Sequence, residues 1–175
     1  MLAHNVAILL KSVPGTARDV TIDETRIDLG PELPLVGPLT GAARLTRTQQ
    51  GVLAQARVHA QVSLECSRCL APLPLSLEVE WAELYRPSID LITGQAIRPA
   101  EDDALQIDER HVLDLTEMAR QSLLLALPLK PVCQPECRGL CLGCGVDLNL
   151  APCECGGDAE GGPFSALARL LDTRP

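Results

Sequence analysis

The chain has 175 residues, a length that suits one domain with at most a small appendage. Its net charge is −8 and its aromatic content is 2%, so it lacks both the basic footprint of a free-standing nucleic-acid binder and a stacking surface for single-stranded bases. The longest apolar run, Leu123 to Leu129, has seven residues, whereas a membrane span needs about 20, and the N-terminal apolar stretch is shorter than a signal peptide requires. We therefore expect a cytoplasmic protein with no membrane partner.

The first 51 residues carry weak patterns. Residues 4–12 do not distinguish a helix from a strand, and "SVPGTARD" at 12–19 is typical of a turn. Small or apolar residues alternate with polar ones around Leu39 to Arg47, which indicates a strand. Residues 46–51 then resemble a hairpin connection in which Gly51 is free to adopt a positive φ.

Two long strands are the clearest prediction. Every even position from Val52 to Leu64 is apolar, and the odd positions after Leu53 are polar, which predicts a strand with one buried and one wet face. The same period returns from Leu73 to Trp81. The sequence "CSRC" between them therefore places two cysteines on the turn that joins two antiparallel strands.

A loop, a short strand and a helix are expected next. Residues 86–103 combine proline, glycine and acids without a period, and "ALQID" at 104–108 predicts a short strand. A helix is predicted from Leu115 to Leu127, with Asp114 and Glu117 forming a capping box and Pro128 ending it. The predicted fold is α+β: an antiparallel sheet with long hairpin strands and one main helix packed on it (residues 1–131), a cysteine-rich metal-binding cluster (132–155), a glycine-rich linker (156–162) and a short C-terminal helix (163–175).

The eight cysteines form four short-range pairs: Cys66 and Cys69, Cys133 and Cys137, Cys141 and Cys144, Cys153 and Cys155. In a reducing compartment such spacing favours metal ligation over a framework of four disulfides. Four thiolates suit a structural Zn²⁺, and we expect about two ions. The preferred pairing joins the first two pairs in one site and the last two in the other; the alternative joins Cys133 and Cys137 to Cys141 and Cys144. Iron–sulfur ligation is the alternative metal chemistry.

Catalytic interpretations fit less well. Cys137, Cys141 and Cys144 have the spacing of a radical-type iron–sulfur triad, but such enzymes need a large barrel and about 30 residues follow the triad here. "CSRC" is flanked by strands, where a redox dithiol would want a helix N-terminus. Ordinary solvated positions are expected for His4, His59 and His111. We predict structural metal, no catalysis and no small-molecule substrate.

Three stretches together resemble the YceD family: "CSRCL" after the alternating strand, "LLLALPLKPVC" at 123–133, and the terminal "PFSALARL". The family is described as large ribosomal RNA subunit accumulation proteins. The resemblance implies a bacterial or organellar role in the synthesis, processing or stability of 23S ribosomal RNA. It also implies that the site using Cys66, Cys69, Cys133 and Cys137 belongs to the shared fold, with the Cys141–Cys155 site an elaboration.

The charge of the chain bears on the partner. An acidic protein complements a basic ribosomal protein, or a large-subunit precursor that carries one, better than it complements naked RNA. The acids between Asp90 and Glu109 are the candidates for that contact, and ribosomal RNA would be reached indirectly. The alternatives are a zinc-knuckle module that binds RNA through Arg68 and Arg138, or, further off, a metal-dependent RNA-processing enzyme.

Overall fold

A computed structural model describes residues 2–90, 93–97 and 105–155. The chain divides into two compact units. The first comprises Met1–Leu64 and Pro72–Leu129, and the second comprises Glu65–Ala71 and Lys130–Pro175. Across the described residues, no helix has the length and apolar character needed to cross a membrane. The predicted linker at 156–162 and the predicted helix at 163–175 lie outside the described residues.

The described part of the first unit contains seven strands and two helices. In chain order these are β1 (Ala3–Asn5), α1 (Ala7–Leu10), β2 (Ala17–Glu24), β3 (Leu39–Arg47), β4 (Val52–Glu65, whose last residue belongs to the second unit), β5 (Pro72–Pro87), β6 (Gln106–Ile107), β7 (Val112–Asp114) and α2 (Thr116–Ala126). Five of the strands form one sheet in the order β2-β3-β4-β5-β6, and β1 pairs with β7 in a separate antiparallel ribbon.

The two long strands appear where the alternation predicts them. Along β4 the even residues from Val52 to Val62 are at most 5% exposed, while Gln55, Arg57 and His59 face solvent. The register pairs Ala43 with Ala56 across β3 and β4, so small side chains meet on the buried face. Because aromatic residues are scarce, the core consists almost entirely of aliphatic side chains packed against this face.

The sheet differs from the prediction at its β5 end. The strand β5 continues to Pro87, so the predicted loop at 86–103 begins two residues later than expected, and Tyr85 is buried at 1% exposure. The predicted short strand at 104–108 is present as β6, but it pairs parallel to β5 rather than antiparallel. The five-stranded sheet is therefore mixed.

The main helix is confirmed, and its predicted cap is wrong. Helix α2 spans Thr116–Ala126 with Leu115 as the N-cap residue. Asp114 belongs to β7, where its carboxylate accepts bonds from the Thr116 amide (2.9 Å) and hydroxyl (2.5 Å). Glu117 pairs instead with Arg120 (3.5 Å) and accepts a bond from Gln121 (2.9 Å). The pairing of Asp114 with Ala3 extends the strand by one residue and displaces the capping box.

Of the elements before β4, the strand predicted from Leu39 to Arg47 is confirmed as β3, whereas β1, α1 and β2 were not predicted. The turn at 12–19 is correct only to residue 16, because Ala17 already belongs to β2. In that strand Val20 and Ile22 are buried and Asp19, Thr21 and Asp23 are exposed, an alternation too short to stand out among its neighbours.

Candidate metal centre

The first group of four cysteines brings together two distant segments of the second unit. The sulfurs of Cys66, Cys69, Cys133 and Cys137 all lie within 4.8 Å of one another. The Cys66–Cys137 and Cys69–Cys133 sulfur distances are 3.8 and 3.7 Å. These distances are well beyond the roughly 2.05 Å of a disulfide, and all eight cysteines are free. Three of the four side chains are buried, and Cys133 is exposed.

Hydrogen bonds outside the thiols hold these segments together. The Ser67 amide and hydroxyl both donate to the Pro131 carbonyl, at 2.8 and 2.9 Å. The guanidinium of Arg68 donates to the carbonyls of Pro135 (3.2 Å) and Cys137 (2.8 Å). Because two of its donors are directed at backbone carbonyls, Arg68 fastens the first cysteine pair to the chain segment that carries the second.

The second group is local and more open. The sulfurs of Cys141, Cys144, Cys153 and Cys155 also lie within 4.8 Å of one another. Cys153 is 3.4 Å from Cys144 and 3.2 Å from Cys141. None of the four is fully buried. The connecting loop turns at Asp147, whose carbonyl accepts bonds from the amides of residues 150 and 151 at 3.0 and 3.1 Å.

The two groups match the preferred pairing. Cys133 and Cys137 lie with Cys66 and Cys69, so the alternative pairing with Cys141 and Cys144 is not adopted. The three cysteines with the spacing of a radical-type iron–sulfur triad also do not lie together, because Cys137 is in one group while Cys141 and Cys144 are in the other.

The two Cys-x-x-Cys turns are structural repeats of each other. In the first, the Leu70 amide donates to the Cys66 carbonyl and the Cys66 amide donates to the Ala71 carbonyl, both at 2.9 Å. In the second, residues 145, 141 and 146 form the same two bonds at 2.9 and 2.8 Å. The residue after the second cysteine has a positive φ in both turns, 60° at Leu70 and 75° at Gly145. Glycine suits that conformation, whereas leucine adopts it at a cost.

In each turn the first cysteine receives backbone amides. The amides of Cys69, Arg68 and Cys133 point at the Cys66 sulfur and lower the pKa of that thiol to about 6. The Cys144 amide, the Cys153 thiol and the Gly143 amide lower the pKa of Cys141 to about 6. Hydrogen bonds to the thiolate form cause such shifts. In each turn the hydrogen bonds therefore favour the thiolate form of the first cysteine.

The pKa values of Cys133 and Cys153 are shifted in the opposite direction, upwards. The neighbouring Cys137 thiol, together with burial, raises the pKa of Cys133 to about 12. The Cys141 thiol likewise raises the pKa of Cys153 to about 12. Several thiolates at these separations repel one another, so a cation at the centre of each group is what would allow all four to ionise together.

The sulfur geometry fits a tetrahedral metal ion. Four thiolates about 2.3 Å from a Zn²⁺ are about 3.8 Å from one another. The distances of 3.7 and 3.8 Å in the first group meet that spacing, and those of 3.2 and 3.4 Å in the second are slightly shorter. The three histidines lie elsewhere. His59 is exposed on the wet face of β4, as expected, whereas His4 in β1 and His111 just before β7 are only partly exposed, so the expected solvated position is wrong for these two.

Asn149 is a site residue that the sequence analysis missed. It lies inside the loop of the second group, yet its side-chain amide donates to the Cys137 sulfur of the first group at 3.4 Å. The only sequence signal is the spacing of Asp147 and Asn149 in "GVDLNLAP", which is typical of a turn and gives no hint of a contact with Cys137. Arg138 is exposed, and its backbone amide bonds to Asn149.

This combination defines a class: an α+β protein with two four-cysteine groups of the kind that hold structural metal ions. The family model described as large ribosomal RNA subunit accumulation protein YceD matches residues 54–171. The chain therefore belongs to the YceD family, and the predicted resemblance is confirmed.

The similar proteins are bacterial and plastid. An uncharacterized protein of Mycobacterium tuberculosis strain H37Rv is 34% identical over 109 residues, covering 62% of this chain and 51% of the relative. One from Mycobacterium leprae is 30% identical over 153 residues, 84% of this chain and 63% of the relative. The maize chloroplastic protein named large ribosomal RNA subunit accumulation protein YCED homolog 1 is 26% identical over 142 residues, 67% and 48% of the two chains. The chain spans about half the length of most of these curated relatives. No solved structure matches it.

Proposed function

We propose that this protein is a non-catalytic accessory factor in assembly of the large ribosomal subunit, supporting the synthesis, processing or stability of 23S ribosomal RNA. Family membership carries the proposal. The match over residues 54–171 includes most of β4, all of β5, helix α2 and all eight cysteines. The plant relatives are named large ribosomal RNA subunit accumulation protein YCED homolog 1, which associates the family with accumulation of that RNA.

The two cysteine groups support a structural role for two Zn²⁺ ions. Cys66, Cys69, Cys133 and Cys137 would hold one ion, and Cys141, Cys144, Cys153 and Cys155 the other. Four thiolates complete a tetrahedral shell, whereas catalytic zinc keeps a position open for water. Bound zinc would cross-link segments that share little apolar core, which is how metals stabilise small units.

The charge of the chain supports a basic protein partner. With two zinc–tetrathiolate sites, each contributing −2, the formal net charge of −8 becomes −12. Such a surface attracts the Lys- and Arg-rich segments of ribosomal proteins and repels naked RNA. Of the acids between Asp90 and Glu109, Asp108 is already engaged by the amides of residues 110 and 112. The neighbouring Glu109 is exposed, which makes it the better candidate for the contact.

Co-purification from cells, with ribonuclease treatment before elution, tests this proposal. Recovery of one basic ribosomal protein, or of large-subunit precursor particles, that survives the nuclease is the expected result. Glu109→Lys should weaken the recovery. Arg110→Glu is the matched control, because it reverses the charge of the adjacent exposed residue in the opposite direction and should not weaken recovery.

Two outcomes would replace the proposal. Tight, salt-sensitive binding of precursor RNA by the pure chain, lost in Arg138→Ala, would establish a zinc-knuckle RNA-binding module. Arg68→Ala is a poorer test of that alternative, since the Arg68 guanidinium also holds the first cysteine group together. Metal-dependent cleavage of the RNA would establish an enzyme.

The metal content has its own test. Elemental analysis of protein purified without added metal should find about two zinc ions per chain. Stoichiometric iron with a visible charge-transfer band would favour the iron–sulfur alternative. A chain with all cysteines oxidised would exclude both metals.

A further inference from the structure

Asn149 connects the two cysteine groups. Its side-chain nitrogen donates to the Cys137 sulfur at 3.4 Å, and its side-chain oxygen accepts the Arg138 amide at 2.8 Å. The same oxygen lies 3.4 Å from the side-chain nitrogen of Gln134. One side chain of the second group thus contacts a thiol of the first and the backbone immediately beyond it.

The position of Asn149 depends on its own loop. The residue lies between Cys144 and Cys153, whose sulfurs are 3.4 Å apart. Asp147 fixes its conformation by accepting bonds from the Asn149 backbone amide (2.8 Å) and side-chain nitrogen (2.6 Å). Closing the second group therefore holds Asn149 against Cys137. Opening it frees the loop around Asn149, which has four residues between Cys144 and Asn149 and three between Asn149 and Cys153.

A second connection runs through the backbone. The Leu140 amide donates to the Arg68 carbonyl at 3.1 Å, and the Leu148 amide donates to the Gly139 carbonyl at 2.9 Å. Gly139 has a φ of 76°, and a Cβ there would lie 3.0 Å from the Arg68 carbonyl oxygen. The chain between the groups is thus seated against the first Cys-x-x-Cys turn.

We propose that the two metal sites bind zinc cooperatively, with Asn149 as the positioning residue that couples them. This inference rests on the proposed zinc binding. When the second site is filled, Asn149 is fixed and its side-chain amide donates to the Cys137 sulfur, which holds that ligand in position for the first site. Outer hydrogen bonds of this kind typically change metal affinity about 10- to 100-fold. By thermodynamic linkage, filling the first site strengthens the second by the same factor.

The coupling can be measured as a ratio of Zn²⁺ association constants. Competition with a chromogenic chelator gives the product of the two constants for the full chain. Cys144→Ser leaves the first site alone, and Cys133→Ser, which changes the exposed ligand of the first group, leaves the second. The product for the full chain divided by the product of the single-site constants is the coupling factor, and we expect at least about 10.

Substitutions of the loop identify the coupling residue. Asn149→Asp keeps an acceptor for the Arg138 amide and removes the donor to sulfur, so the factor should fall to about 1 while zinc still binds. Leu150→Ala is the matched control, because Leu150 is the adjacent residue and its side chain is 86% exposed. In the Co²⁺-loaded chain, Asn149→Asp should also shift the thiolate-to-metal charge-transfer band, while Leu150→Ala leaves it in place.

The outcomes separate the two proposals. A coupling factor of 1 in the unsubstituted chain, or an unchanged factor in Asn149→Asp, overturns the cooperative mechanism and leaves zinc binding intact. Absence of bound zinc overturns both. If a cysteine variant does not fold, the direct titration of the unsubstituted chain decides: two independent, non-cooperative steps would refute the coupling.

Discussion

Replacing Cys133 with Ser should destabilise the whole fold, and replacing Cys144 should do much less. Both changes remove one ligand from a four-cysteine group. They differ in how much chain each group encloses: the contact between Cys69 and Cys133 spans 64 residues, and that between Cys144 and Cys153 spans nine. The longer segment contains β5 and α2, which belong to the first unit.

The enclosed lengths give the magnitudes. A cross-link over 64 residues removes about 4.3 kcal/mol of chain entropy from the unfolded state, against about 2.6 kcal/mol for nine residues. The smaller cross-link involves only the loop between Cys144 and Cys153, so Cys144→Ser acts on the first cysteine group mainly through the contact of Asn149 with Cys137. A tenfold loss of affinity at the first site corresponds to about 1.4 kcal/mol. For a chain of this length, the loss of about 4.3 kcal/mol in Cys133→Ser lowers the unfolding midpoint of the first unit by about 9–17 °C. The loss of about 1.4 kcal/mol in Cys144→Ser lowers it by about 3–6 °C.

Trp81 makes the assay specific. It is the single tryptophan of the chain and lies in β5, so its fluorescence follows unfolding of the first unit. Thermal melts with excess Zn²⁺ and a phosphine reductant compare the two variants, and elemental analysis confirms that each has lost one zinc. Equal shifts in the Trp81 midpoint would refute the assignment of a long-range and a local site.

Three further predictions concern single residues. Gly51→Ala should destabilise the chain by about 2–4 kcal/mol in chemical denaturation, because a Cβ there would lie 2.0 Å from the Tyr85 carbonyl oxygen. Gly15→Ala, with a φ of 95° and open space around it, should cost only about 1 kcal/mol, and equal costs would contradict the steric argument. Tyr85→Phe should stabilise the fold by about 1 kcal/mol, because the buried hydroxyl has no hydrogen-bond partner among the described residues. Burial raises the pKa of Tyr85 above the unfolded-state value of about 10, so this group favours the folded chain less and less as the pH rises above that value. Denaturation curves of Tyr85→Phe should show a smaller loss of stability in that pH range. An unchanged pH dependence would contradict the raised pKa of Tyr85. The residue after the second cysteine of each Cys-x-x-Cys turn has a positive φ, which asparagine tolerates better than alanine. In chelator competition, Gly145→Ala should therefore weaken Zn²⁺ binding at the second site. Leu70→Asn should not weaken Zn²⁺ binding at the first site.

The features that could be predicted are those encoded over short distances. The alternation along β4 spans 13 residues, Val52 to Leu64, and leaves no other interpretation. The cysteine pairs are equally local, because the short spacing of a Cys-x-x-Cys turn by itself allows both thiols to bind the same metal ion. The long-range grouping followed because α2 leads directly to Cys133 and the other pair lies on a hairpin tip.

The features that escaped prediction depend on partners distant in the chain. The strand β1 has three residues and exists because Ala3 pairs with Asp114, more than 100 residues away. That same pairing moved the start of α2 and removed the expected capping box. Asn149 was missed for a related reason: its contact with Cys137 is set by the folded loop, and an asparagine in a polar turn has no distinctive pattern of its own.

The separation of Cys69 from Cys133 also sets the delay between the synthesis of the two cysteine pairs of the first group. At about 5–20 residues per second, the ribosome makes the first cysteine turn about 3–13 s before the residues that complete its group. The strand β5 and the helix α2 are synthesised in that interval, so they can form before Cys133 and Cys137 have been made. Until the segment after α2 is made, the nascent chain therefore presents only two of the four thiols that the proposed first zinc site would need.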